Sequence, residues 1–535
     1  MTITTLLLIW SFWFIPLSVQ TKNRTQNIYV VMIWLSGLCL DQIMRFYVYV
    51  QSKKFKTEVC VTVPVSLIWF RNDLRVKDNP ALNAACDEGK IIPVFIYDSA
   101  APDDQKPGGA SQWWLHQSLQ SLNERLNGHL QIFKGDAQKL IPQLLEQFGV
   151  ERIFWNRCYE PWPIERDKKL KKQLKENDIK VKSFNASLLW EPGNIKNQSG
   201  DPYKVFTPFY KKGCLNQPEP RYPKAPPARI TYAEVEDKGD GLESLQLLPS
   251  INWYAGIEEE WRPGEEGAAD RLSEFLSEPA DHYQEERDIP SVEGTSKLSA
   301  HLHWGEISPN QIWYAIKGKF GDQENKDIET FLSELGWREF SYYMLYHFPH
   351  IVDENFKEKF NHFNWRYSKK ELNAWQQGKT GIPIVDAGMR QLWQTGWMHN
   401  RVRMIVGSFL VKNLLMHWNQ GEQWFWDCLV DADLASNTAG WQWVAGSGAD
   451  ASPYFRVFNP VLQGERFDKE GDYVKTFCPE LKNIPKKYIH KPWDAPDDVL
   501  QNAGVALGDH YPEPLVDLKK SRQRALDAFD EIKGK

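Results

Sequence analysis

The sequence predicts a two-part fold: a doubly wound, parallel α/β sheet at the N-terminal side and an all-α portion at the C-terminal side. Three observations predict it. Between residues 65 and 184, short apolar runs rich in β-branched and aromatic residues alternate with helical segments. Beyond about residue 271, helix-period patterns dominate and no alternating strands appear. Between the two lies a stretch in which Pro and Gly recur. A chain of 535 residues exceeds one ordinary core, and 42% hydrophobic residues are ample to fill more than one.

Residues 1–60 form an atypical apolar extension. Ile3 to Val19 is an uncharged run of near-spanning length and Ile28 to Leu40 a shorter one, with Lys22 and Arg24 between them. No basic segment precedes the first run and no small-residue cleavage pattern follows it, which argues against a signal peptide. A membrane anchor, an unusual targeting segment and an early start codon all remain open.

The α/β portion, 65–190, opens with VSLIWF (65–70). IIPVFIY (91–97), LQIFK (130–134), RIFW (152–155) and VKSF (181–184) follow as strands, with helices expected over 80–88, 111–127, 136–147 and 164–177. The first strand leads into RNDLR (71–75), not G-x-G-x-x-G, so no dinucleotide fingerprint is present. Residues 191–270 read as a long connector laid over a surface. Residues 271–520 read as helical. Within them Ala387 to His417 carries Arg390, Arg401, Arg403 and Lys412 and no acidic residue, a pattern equally open to phosphate binding and to internal ion pairing.

Composition narrows the chemistry. Seven scattered cysteines without a C-x-x-C suggest neither a disulfide framework nor a metal site. A formal charge of −6 argues against non-specific nucleic-acid affinity, so any such binding needs a local patch. The 24 tryptophans are an excess that either a Trp-rich core or stacking and electron transfer would use. Residues 431–443, DADLASNTAGWQW, crowd two carboxylates, an asparagine and two indoles together, which is costly unless each polar group finds a partner.

Ordered motifs address that crowding: VSLIWFRNDLR, YQEERD (283–288), EGTSKLS (293–299), ELGWREF (334–340), WQQGKTGIPIVDAGMRQL (375–392), WMHNRVRM (397–404), DADLASNTAGWQW and SPYFRVFNP (452–460). Together they resemble the photolyase/cryptochrome family, and within it the class I cyclobutane pyrimidine dimer photolyases, over about residues 65 to 515. The resemblance implies an α/β antenna domain and a helical domain holding FAD, whose excited reduced form passes an electron to a pyrimidine dimer flipped out of duplex DNA.

Residue by residue, it implies that Tyr283, Thr295, Ser296, Lys297, Leu298, Ser299, Phe331, Arg403, Asp431, Ala432, Asp433 and Asn437 bind FAD, with Arg403 the ion partner of Asp431. Trp441, Trp418 and Trp375 would be the inner, middle and outermost members of an electron-transfer chain. Glu334, Trp337, Asn400, Met404 and Trp443 would form the lesion pocket, and Arg287, Arg338, Arg401 and Arg456, with Glu334, Trp337 and Asn400, would contact DNA. Photolyases for the (6-4) photoproduct place histidine where this chain has Asn400 and Met404, so the cyclobutane dimer is the better match. Folate-using members carry Asn-Glu where Trp162 and Pro163 align, which argues against a methenyltetrahydrofolate antenna and leaves a deazaflavin, another flavin or an empty site open. No metal is implied. The protein is expected to act as a monomer on UV-damaged DNA, in the cytoplasm and at the nucleoid if bacterial. The alternative is a blue-light signalling cryptochrome, which usually carries a long C-terminal tail.

Overall fold

The computed structural model describes residues 12–21, 24–33, 47–49 and 63–535 except 237–238, 322–324, 452–454 and 534–535. The apolar runs Ile3–Val19 and Ile28–Leu40 therefore lie partly outside the described residues. Where described, β1 (Phe12–Thr21), β2 (Arg24–Ile33) and β3 (Tyr47–Tyr49) pair as an antiparallel sheet in the order β1-β2-β3. No helix among the described residues is long and apolar enough to cross a membrane.

Val65–Lys535 is a separate compact unit. Its five strands are β4 (Val65–Phe70), β5 (Lys90–Asp98), β6 (Gln131–Gly135), β7 (Arg152–Asn156) and β8 (Lys180–Phe184). All pairings are parallel, in the order β6-β5-β4-β7-β8. The chain runs outward from β4 to β6, then crosses to β7 and β8. This places a topological switch beside β4, where α/β sheets hold ligands at the carboxyl ends of their strands. β4 and β5 are buried along nearly their whole length because helices cover both faces. The crossover helices Pro80–Glu88, Gly109–Arg125, Ala137–Gln147 and Pro161–Glu176 fall where the apolar periodicity places them.

The connector departs from expectation. Phe206, Phe209, Tyr210 and Cys214 are buried in the helical core, and Phe206 stacks on Trp337 at 3.8 Å. FTPFYKKGC is an apolar plug whose signal is masked by the Pro and Gly around it. The first long helix also begins before residue 271, at Glu265–Ser277, behind Gly264 at φ +102°.

The helical portion places its site on a few elements: Lys326–His347, Asn400–Ser408, Trp418–Cys428 and Leu434–Ala445. It locks onto the sheet layer through polar contacts. Ser111 Oγ donates to Leu429 O at 3.1 Å, and Trp426 Nε1 donates to Lys106 O at 2.8 Å. Much of the tryptophan excess serves packing, since Trp69, Trp113, Trp114, Trp155, Trp375 and Trp418 are almost fully buried.

Candidate functional site

The crowded segment resolves into three partnerships. Asp433 is the N-cap of the Leu434–Ala445 helix and accepts from Ser436 N at 2.7 Å. Tyr342 also donates to Asp433, and His303 lies 3.5 Å away. Burial works to raise the Asp433 carboxyl, but His303, Arg338 and Tyr342 together hold it well below the usual carboxylate range. Asp431, 3% exposed at its side chain, pairs with Arg403 at 2.8 Å. Asn437 Nδ2 donates to Glu422 O at 3.1 Å.

Asp431 and Asn437 line a cavity of about 460 Å³, and Asp433 does not. Arg403, Ala432 and Trp441 line it too, as do Arg287, Glu334, Trp337, Asn400, Arg401, Met404 and Trp443. Asn400 and Met404 lie one turn apart on one face of the Asn400–Ser408 helix. The His399 side chain starts that helix by accepting from Arg401 N at 3.2 Å, and burial lowers its imidazole pKa to about 4, so the ring is neutral. Arg287 and Glu334 pair at 2.5 Å, and Arg401 grips Asp288 at 2.6 Å.

Other candidate residues lie elsewhere. Tyr283 and Phe331 pack edge to face in the core, 5.2 Å apart. Thr295, Ser296, Lys297, Leu298 and Ser299 lie beside the short Ser299–His303 helix, and Lys297 is tied to Glu260 at 2.9 Å and Glu293 at 2.8 Å. None of these residues lines the cavity. Arg338, expected at DNA, donates to Ser187 O at 2.7 Å at the end of the α/β portion and lies over Tyr342. Arg456 is exposed, its guanidinium over Phe458.

Trp375, expected outermost, is 0% exposed and meets Trp441 edge-on at 6.2 Å. The half-buried Trp365, not singled out in the sequence, lies nearer the surface. It contacts His417 at 5.3 Å, and His417 contacts Trp418 at 5.3 Å. Its signal was a tryptophan ten residues before Trp375 in a polar segment. Trp441 is seated tightly: a methyl group at Gly421 would approach its ring to 2.0 Å. Gly421→Ala is therefore expected to displace the indole and destabilise the fold by about 1–3 kcal/mol, read by chemical denaturation.

The residues fit a flavin. Asp431 Oδ1 is buried without a partner, Arg403 supplies a guanidinium beside it, and Gly440 opens onto space at the cavity wall. Comparison with known proteins agrees. A DNA photolyase model matches residues 66–228, and the FAD binding domain of DNA photolyase matches 331–531. A deoxyribodipyrimidine photo-lyase of Agrobacterium fabrum is 49% identical over 88% of this chain and 98% of its own length.

The chain belongs to the DNA photolyase family.

Cryptochrome-1 of Arabidopsis thaliana is 36% identical over 88% of this photolyase-family chain and 71% of its own. A crystal structure described as a bacterial class III photolyase from Agrobacterium tumefaciens superimposes with a TM-score of 0.85. It is 47% identical and covers 91% of this chain and 100% of its own. The motifs resemble class I, whereas this neighbour is described as class III. FAD is the cofactor of the helical portion.

A second cavity, about 180 Å³, sits at the switch point of the sheet. Trp162 and Pro163 line it, beside Trp69, Arg71 and Glu160. It falls below the ~300 Å³ at which sites for drug-sized ligands begin.

Beneath Asn437, Glu422 accepts from Thr438 Oγ1 at 2.6 Å and from Asn419 Nδ2 at 3.2 Å. Burial pushes its carboxyl up to about 7. A carboxyl raised by folding contributes stability below its ordinary pKa, and that contribution is lost as pH rises through about 7, here up to about 3 kcal/mol. The melting temperature should fall as pH rises from about 4.5 to about 7, and Glu422→Gln should flatten part of that fall. Glu339, also pushed up by burial to about 7, carries another part.

Proposed function

We propose that this protein repairs UV-damaged DNA in the light, splitting a flipped-out cyclobutane pyrimidine dimer into two pyrimidines. The observation that carries the reading is the single cavity that holds the flavin-side residues Arg403, Asp431 and Asn437 together with Glu334, Trp337, Asn400, Met404 and Trp443. Arg403, Asp431 and Asn437 would hold a reduced flavin, which would supply light-driven electron transfer to and from the lesion.

The chain's own groups do the rest. A base lesion must leave the helix to be reached, and aromatic faces then replace the lost stacking. Trp337, with Phe206 on one face, offers the other, and Trp443 is half-buried at the same cavity. Glu334 exchanges its bond with Arg287 for the polar edge of the lesion. Arg287, Arg401 and Arg456 hold phosphates, which position the strand without reading sequence. Asn400 and Met404 add no proton donor of imidazole strength, in keeping with a dimer that opens without one.

The test uses the full chain with its flavin reduced, illuminated with blue light on a thymine-dimer oligonucleotide and followed by chromatography against a dark control. Light-dependent recovery of intact thymines supports the reading. No recovery with reduced flavin bound overturns it in favour of light signalling.

A further inference from the structure

Phe455 and Arg456 are neighbours with opposite exposures: Phe455 is 9% exposed, while Arg456 faces solvent. Phe455 reaches into a small core of Phe360, Phe363, Leu415, Ala525, Ala528 and Ile532. Three of these residues come from the last stretch of the chain. The C-terminal helix Leu518–Asp530 brings Phe529 against Phe455, the rings 4.5 Å apart and 6° from parallel.

Lys412 meets the same ring. Its Nζ lies 3.4 Å from the Phe455 centroid, in a side chain 1% exposed with no ion pair or hydrogen bond among the described residues. Burial drives its pKa far down, which an amine lodged only to reach a carboxylate would not show. Lys412 projects from a π-helical turn, Phe409–Asn413, that is itself bolted to the C-terminal helix. Asn413 Nδ2 donates to Ser521 Oγ at 2.9 Å, and Arg524 Nη2 donates to Asn413 O at 2.5 Å. Two further contacts secure the loop on either side: Lys357 Nζ donates to Gly446 O at 3.3 Å, and Phe458 N donates to Ser408 Oγ at 3.3 Å. None of these groups lines the catalytic cavity.

We infer that the C-terminal helix is a positioning element for DNA engagement: Phe529, with Lys412, anchors Phe455 and thereby sets Arg456 to receive a phosphate of the lesion strand. Phe529 and Lys412 are positioning residues that act through Arg456. The inference rests on the proposed phosphate role of Arg456. Fixing a long cationic side chain's backbone before binding removes ordering that would otherwise oppose it.

The experiment measures the dissociation constant for a dimer-containing duplex in the dark, with repair at saturating DNA and bound flavin read on the same full-length samples. Phe529→Leu, which keeps apolar bulk and loses the ring, should raise the dissociation constant about tenfold, as should Arg456→Ala. The double variant should be no weaker than either, because the two act in series. Bound flavin and saturated repair should hold in Phe529→Leu, and Phe529→Tyr should restore affinity. Lys412→Met reads the same loop from its other contact and should match Phe529→Leu should that variant fold poorly. Unchanged affinity in both Phe529→Leu and Lys412→Met, or additive losses in the double variant, overturns the inference. Unchanged affinity in Arg456→Ala alone removes the phosphate role and the inference with it.

Discussion

Replacing Asn400 and Met404 together by histidine should lower cyclobutane-dimer repair by ~100-fold or more while leaving bound flavin intact, since misplacement of about 1 Å at a reacting centre suffices for such a loss. Both side chains line the cavity, one helical turn apart, beside Arg401 and Arg403. Two imidazoles there replace a short amide and a flexible thioether with rigid rings. Imidazoles there would bring bulk and N–H donors into the cavity and would shift the lesion from its stacked position. Chromatographic repair assays on the double variant decide the point. Normal repair would remove both residues from the lesion pocket.

The α/β half of the fold was legible because its signals are local. A run such as VSLIWF carries its own period and composition, and β4 begins and ends where the run does. The connector was not, because burial of Phe206 and Phe209 depends on Trp337 and Phe340, more than a hundred residues away. The acid-free stretch from Ala387 to His417 teaches the same lesson about charge. Arg390 pairs with Glu480 at 2.7 Å, Arg401 with Asp288 and Arg403 with Asp431, so what looks in sequence like a bare basic face is largely compensated from outside the segment. No local window can show a partner contributed by another helix.

The depth of the tryptophans was not legible for a related reason. Spacing along the sequence identifies indoles but says nothing of depth, and only packing separates buried Trp375 from half-buried Trp365. Likewise both carboxylates of DADLASNTAGWQW were legible as needing partners. That Asp433 would serve as a helix cap, while Asp431 kept a free oxygen at a cavity, was set by tertiary structure.

Arg403→Leu should both destabilise the protein and release its flavin, and the two effects can be separated. Asp431 is 3% exposed at its side chain, its Oδ2 is 2.8 Å from Arg403 Nη2, and its Oδ1 already lacks a protein partner. Removing the guanidinium strands a buried carboxylate, a change that typically costs about 3–5 kcal/mol. The melting temperature should fall and flavin absorbance should be lost on gel filtration. Adding Asp431→Leu removes the stranded charge. Because a buried ion pair replaced on both sides by apolar groups is often close to neutral in stability, the double variant should recover most of the melting temperature. It should not recover flavin, since an aliphatic wall offers the ligand neither donor nor acceptor. Recovery of both would mean that the pair serves only the fold. Recovery of stability without flavin assigns Arg403 and Asp431 to the cofactor, and explains why the chain keeps a half-satisfied carboxylate in a place where leucine would be cheaper to bury.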